Sequence, residues 1–99
     1  MSNNLIVIME EILENPNVSI IDVRETYEFE EGHIENAINI PLGLIPNNIE
    51  KVKAMTQPIV VYCRSGNRSG MALQLLKQAG IQEVYNGGGI FQMMQYANR

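Results

Sequence analysis

Two hydrophobic spacings alternate along this chain. Val18 to Val23 and Ile59 to Tyr62 are short apolar runs rich in β-branched residues. The turn Asn15-Pro16-Asn17 precedes the first and Pro58 bounds the second, so both read as buried strands. Ile20 and Ile21 make the first apolar on both faces, as in a parallel strand covered by helices. Ala37 to Ile40, ended by Pro41-Leu42-Gly43, and Glu83 to Tyr85 read as shorter strands. Helical spacing fills the intervals. Glu25 to Glu31 reads as a short acidic helix anchored by Tyr27 and Phe29 and closed by Gly32, its acids forming a solvated face. Pro46 can open a helix to about Met55 with Ile49 and Val52 inward. From Ser69, the residues Met71, Ala72, Leu75, Leu76 and Ala79 share a face, and Gly80 suits the C-cap. Ile90 to about Ala97 forms a final helix. At the start, Asn3 or Asn4 can cap a helix to about Leu13 with Leu5, Met9, Ile12 and Leu13 on one side. Leu5 to Met9 can equally be a short strand before a helix of Glu10 to Glu14, and periodicity leaves both open. The alternation predicts an α/β fold with a parallel sheet and helices on both faces.

The chemistry concentrates where the 59–62 strand breaks. Cys63-Arg64-Ser65-Gly66-Asn67-Arg68 is a small polar loop between that strand and the helix opening near Arg68 or Ser69. Positive charge, hydrogen-bond donors and a helix N-terminus each favour the thiolate of a cysteine. A loop curled around the sulfur can aim backbone N–H groups inward as an anion nest, and Gly66 permits the backbone angles this needs. An inert core cysteine is not normally followed by Arg-Ser-Gly-Asn-Arg.

Length and composition narrow the classes. The 99 residues, 45% of them hydrophobic, predict one domain over 1–99 with a single core. Cys63 is the only cysteine, which excludes an internal disulfide, a resolving cysteine and a multi-thiol metal site within one chain. The only histidine, His33, lacks partners at ligand spacing, so no metal and no cofactor are expected. The longest apolar run, Leu5 to Met9, is too short to cross a membrane. No basic residue precedes it and no cleavage pattern follows. An exposed free thiol suits a reducing compartment, and a cytoplasmic location is expected.

Charge is lopsided. Residues 1 to 50 hold ten acids against Arg24, a net of −9. Residues 51 to 99 hold six bases against Glu83, a net of +5. The positive half contains the cysteine loop, which suits a small anionic substrate. No basic stripe with interleaved aromatics points to nucleic acid.

Cys63-Arg-Ser-Gly-Asn-Arg-Ser69 resembles the active-site loop of single-domain rhodaneses, the thiosulfate sulfurtransferases. Ile20-Ile-Asp-Val-Arg-Glu25 with Glu31-Gly-His-Ile-Glu-Asn-Ala-Ile-Asn-Ile-Pro41 is similar to the family's first signature. Val84-Tyr-Asn-Gly-Gly-Gly-Ile90 is similar to its C-terminal Gly-Gly segment. These motifs span roughly residues 19 to 92 in the family's order. The resemblance implies a three-layer α/β/α domain with a central five-stranded parallel sheet and the cysteine loop at its C-terminal edge. It implies a structural role for His33, between Gly32 and Ile34. The glycines at 87 to 89 do not fit G-x-G-x-x-G spacing and read as a tight turn beside the cysteine loop. A tryptophan that commonly follows this segment in the family is missing; Met93 and Phe91 are the candidates to fill its space.

The implied activity is transfer of a sulfane sulfur from thiosulfate or a similar anionic donor to cyanide or a thiol, including a protein thiol, through a Cys63 persulfide. Cys63 is the nucleophile. Backbone N–H groups of residues 64 to 68, within Arg64, Ser65, Gly66, Asn67 and Arg68, hold the charge. Arg64 and Arg68 orient the donor, with Arg68 also fixing the loop. Ser69 is a helix-start residue rather than a catalytic one. Asp22 and Arg24 either brace the cysteine loop or serve structure, with Arg24 paired to Glu28 or Glu35. Two alternatives stand beside this: a non-catalytic rhodanese-like binding module, and a cysteine phosphatase or arsenate reductase. The latter enzymes place five residues between Cys and Arg, whereas four separate Cys63 from Arg68, and Tyr62 stands where a His is usual.

Overall fold

The computed structural model describes residues 2–97, with side-chain detail from Ile8 to Tyr96. Four helices and four strands follow the expected alternation after an N-terminal helix. In chain order they are α1 (Ser2–Glu14), β1 (Ser19–Asp22), α2 (Thr26–Glu31), β2 (Ile38–Asn39), α3 (Ile49–Lys53), β3 (Ile59–Cys63), α4 (Asn67–Gln78), β4 (Val84–Gly89) and α5 (Ile90–Ala97). Two 3-10 turns, Leu42–Leu44 and Pro46–Asn48, lead into α3, so the helix expected from Pro46 is broken into a turn and a shorter helix.

The strands form one parallel sheet in the order β2-β1-β3-β4. Because side chains alternate along a strand, β3 divides its residues between two layers. Ile59, Val61 and Cys63 join Ile21, Val23, Val52, Ala72 and Leu76 on the side covered by α3 and α4. Val60 and Tyr62 join Met9 of α1, Ile34 and Met93 of α5 on the other. All five residues of β3 are buried, as its unbroken apolar run requires. Truncating a fully buried anchor such as Leu76 to Ala would cost about 2–5 kcal/mol.

The described sheet has four strands, not five. Leu5 to Met9, the segment that could have supplied another, lies inside α1. Met9, Ile12 and Leu13 keep the 3–4 residue spacing of one helical face and pack onto the Val60 and Tyr62 layer. The helix begins before Asn3 and Asn4, and the Leu5 side chain lies outside the described residues.

Other expectations shift locally. Met71 is 59% exposed, because it lies one residue, about 100° of helix, from Ala72, while Ala72 and Leu76 face the core. Tyr27 is exposed and does not anchor α2; Phe29 stacks on His33 with ring centroids 3.7 Å apart. Gly87-Gly88-Gly89 is not a turn but the second half of β4. Val61 pairs with Asn86 and Tyr62 with Gly88, so Gly87 is the extra residue of a β-bulge. A β-carbon there would run into Met93 Sδ and Val60 Cγ1.

Candidate active site

Cys63 is the last residue of β3, paired with Gly89 at the C-terminal end of β4. This is the sheet edge where open α/β folds bind ligands. The chain turns through Arg64 and Ser65 to Gly66, which precedes α4 at φ 100°, a left-handed conformation that strains any residue with a β-carbon. That turn folds the following backbone over the sulfur. Gly66 N–H donates to Cys63 Sγ at 3.0 Å and Ser69 N–H at 3.4 Å. The Ser69 hydroxyl lies 3.4 Å from the same atom.

These contacts set the thiol's acidity. Burial pushes its pKa up. The Ser69 hydroxyl, Ser69 N–H, Gly66 N–H and Ser65 N–H outweigh burial, and the thiol titrates below its ordinary value. The nest therefore draws on residues 65, 66 and 69 rather than on the whole span 64 to 68. Ser69 does more than start the helix: it is fully buried in the first turn of α4, its N–H donates to the sulfur and its hydroxyl lies beside it. Cys63 is likewise fully buried, where an exposed thiol was expected, because this turn closes over it.

The two loop arginines diverge. Arg68 binds Glu28 of α2 through Nη1–Oε1 at 2.7 Å and Nη2–Oε2 at 3.1 Å. It ties the start of α4 to α2 and directs its charge at a carboxylate rather than at a donor anion. Arg68 holds the Glu28 carboxyl down to about 2, opposed by burial. Arg64 is exposed and has no ion-pair partner among the described residues. It lines a cleft of about 230 Å³ with Arg24, Tyr27, Glu31 and Phe91. A larger cavity, about 710 Å³, lies between α1, the 33–36 segment and α5 and includes no residue of the cysteine loop. Asn67 is exposed in the first turn of α4, and Ser65 is exposed at the tip of the loop.

Asp22 and Arg24 pair with each other, correcting the expected pairing of Arg24 with Glu28 or Glu35. Arg24 Nη2 meets Asp22 Oδ2 at 2.7 Å, and Nε meets Oδ1 at 3.0 Å. The same Nη2 donates to the Gly32 carbonyl at 2.6 Å. Tyr62, whose hydroxyl accepts the Ile34 N–H at 3.0 Å, ties down the far side of His33. The Asp22–Arg24 pair thus braces the 32–34 segment, and reaches the cysteine region through Arg24 lying 5.8 Å over the Tyr62 ring. His33 is structural, with Nδ1 2.9 Å from the Phe29 carbonyl. Of the two candidates for the space of the missing tryptophan, Met93 is fully buried against the sheet, while Phe91 is 69% exposed at the cleft.

Sequence reasoning missed two residues. Glu28 looked like one acid of a solvated face, and nothing local marks its partner 40 residues away. Asn86 accepts the Ser69 hydroxyl at 2.7 Å and donates to the Gly66 carbonyl at 3.1 Å. Its only signal was its place, a polar residue just before three glycines on a strand expected beside the cysteine strand.

The chain matches the rhodanese-like domain family model over residues 7–94 and belongs to that family. It is 43% identical over 72 residues to the uncharacterized protein YqhL of Bacillus subtilis, covering 73% of this chain and 56% of that protein. It is 35% identical over 97 residues to the tRNA uridine(34) hydroxylase of Salmonella newport, covering 92% of this chain and 27% of that enzyme. Among the curated relatives first matched, it thus spans from about a quarter to just over half of their length. Among solved structures, a rhodanese with anions from E. coli superposes with a TM-score of 0.70 at 33% identity, covering 76% of this chain and 89% of that one. The human single-domain sulfurtransferase TSTD1 superposes with a TM-score of 0.74 over 90% of this chain and 91% of that one; at 21% identity this likeness concerns the fold. No helix among the described residues is long and apolar enough to cross a membrane.

Proposed function

We propose that this chain is a sulfurtransferase that carries sulfur on Cys63. The observation behind this reading is the set of donors converging on one buried sulfur at a strand–helix junction. The Cys63 thiolate attacks the outer sulfur of thiosulfate or a similar sulfane donor. The donor S–S bond breaks, its electron pair leaves with sulfite, and an S–S bond forms on Cys63. Cyanide or a thiolate then takes the outer sulfur, and Cys63 recovers its electron pair as thiolate. This is covalent catalysis in two stages, with preorganised donors stabilising anionic sulfur throughout.

Arg64, the uncommitted cation at the cleft, attracts the anionic donor. Cys63 is buried, so a donor reaches the sulfur only when part of the surrounding turn moves aside. Arg68, bound to Glu28, keeps the start of α4 in place and is not free to wrap an oxyanion, which weighs against the phosphatase reading together with the short loop.

The test is intact mass after incubation with thiosulfate, before and after cyanide. One sulfur gained on Cys63 and removed by cyanide supports the reading. A folded, alkylatable protein that gains no sulfur from thiosulfate or from other sulfane donors overturns it in favour of a non-catalytic binding module.

A further inference from the structure

Asn86 stands behind the cysteine loop on β4 and is bonded at both ends of its amide. Oδ1 accepts the Ser69 hydroxyl at 2.7 Å and the Gly88 N–H at 2.9 Å. Nδ2 donates to the Gly66 carbonyl at 3.1 Å. The orientation is unambiguous: turning the amide over would set its NH2 against the Gly88 N–H and its oxygen against the Gly66 carbonyl. The two residues it holds, Gly66 and Ser69, both donate to Cys63 Sγ through their N–H groups, at 3.0 and 3.4 Å.

We propose that Asn86 is a positioning residue for the reacting sulfur, holding the Ser69 hydroxyl against Cys63 and tying the Gly66 turn to β4. Ser69 has one hydroxyl proton and two acceptors facing it, Asn86 Oδ1 and Cys63 Sγ. When the sulfur becomes anionic, the hydroxyl turns its proton to it, and Asn86 Oδ1 keeps the Gly88 N–H. The exchange gives up the Ser69–Asn86 bond, so Asn86 favours the thiolate through what it keeps in both states: the tie to the Gly66 carbonyl, whose own N–H stays on the sulfur, and the seat of the Ser69 side chain. Without Asn86 the Ser69 side chain is free to leave the rotamer that faces the sulfur. The β-bulge at Gly87 lies between Asn86, which pairs with Val61, and Gly88, whose N–H turns to the Asn86 side-chain oxygen.

This inference rests on Cys63 acting as a thiolate, but its test needs no sulfur donor. The pH dependence of Cys63 alkylation by iodoacetamide is measured for the wild type, Ser69→Ala, Asn86→Ala and the double variant, with a thermal melt for each. Ser69→Ala is expected to raise the alkylation midpoint by about one pH unit, a tenfold loss of thiolate below it, and Asn86→Ala to raise it in the same direction because the Gly66 turn and the Ser69 rotamer both lose their hold. The double variant is expected to lie within about a factor of two of the worse single, since both remove one interaction. A wild-type midpoint in a destabilised Asn86→Ala would assign Asn86 to structure alone and overturn the proposal, as would shifts that add in the double variant. If Asn86→Ala does not fold, Asn86→Ser, a smaller polar residue that adds no charge, takes its place. Its midpoint must rise above the wild type's, and an unchanged one overturns the proposal. Shifted midpoints in a chain that gains no sulfur would keep this inference and remove the sulfurtransferase reading.

Discussion

Arg68 of the cysteine loop and Glu28 of α2 form a two-point ion pair, 2.7 and 3.1 Å, across 40 residues of sequence. Glu28 Oε1 also accepts the Glu25 N–H at 2.9 Å, closing the N-terminus of α2. One carboxylate thus joins the first-signature helix to the helix that follows the nucleophile. Arg68 holds the folded pKa of Glu28 at about 2, below the ordinary glutamate value of 4.5, so the carboxylate stabilises the fold above pH 4.5 and the contribution disappears as pH falls towards 2. Glu28→Gln is expected to lower stability by about 1 kcal/mol at neutral pH, the scale of a partly exposed pair. Urea unfolding from pH 7 to pH 2 checks this: the wild-type and variant curves converge at the acid end.

Asp22→Asn attacks the brace rather than the loop. Arg24 is 7% exposed and would keep its charge with no carboxylate beside it. Removing one partner of a buried pair costs about 3–5 kcal/mol. The denaturation midpoint is expected to fall accordingly, measured by circular dichroism at pH 7.

Arg64→Ala should do the reverse. The side chain is exposed and unpaired among the described residues, so stability stays within about 0.5 kcal/mol of wild type. If Arg64 gathers the anionic donor, kcat/KM for thiosulfate falls about tenfold, mainly through KM, with the loss shrinking as salt rises. Steady-state thiocyanate formation at two ionic strengths measures it.

Cys63→Ser is expected to abolish sulfur loading while leaving the melting temperature within a few degrees, since the hydroxyl occupies a similar volume. Residual sulfite release at the wild-type rate would exclude Cys63 as the nucleophile. In the wild type, the lowered thiol pKa predicts an alkylation rate that levels off at lower pH than that of a free cysteine.

Gly89→Ala tests how closely β4 approaches the loop. A β-carbon at Gly89 would overlap the Arg64 carbonyl, which is backbone and cannot swing aside as a side chain can. A loss of about 1–3 kcal/mol is expected, together with a slower sulfur-loading step, because relief of the clash displaces the turn over Cys63. Unfolding and rapid-quench measurements separate the two effects.

The sequence by itself determined the alternation of strands and helices, the buried strand ending in Cys63, the turn that needs Gly66 and the place of α4 after it. Those are local properties: β-branched runs, a left-handed glycine, a 3.6-residue period. It also marked Asp22, Arg24 and the arginines as important without telling which charge meets which. Only the tertiary structure decided that Asp22 takes Arg24, that Glu28 takes Arg68, and that Asn86 holds Ser69 beside the sulfur. Each of these bonds except the first spans 17 residues or more, and composition cannot rank one carboxylate against another at that separation. The N-terminal helix in place of a fifth strand was decided the same way. Leu5 to Met9 satisfies either period over so short a run, and the packing of Met9, Ile12 and Leu13 on the β3 layer selects the helix. The glycines continued as strand for a complementary reason: only residues without side chains let β4 run beside Val60, Met93 and the Arg64 backbone, and that proximity exists only once the sheet has formed.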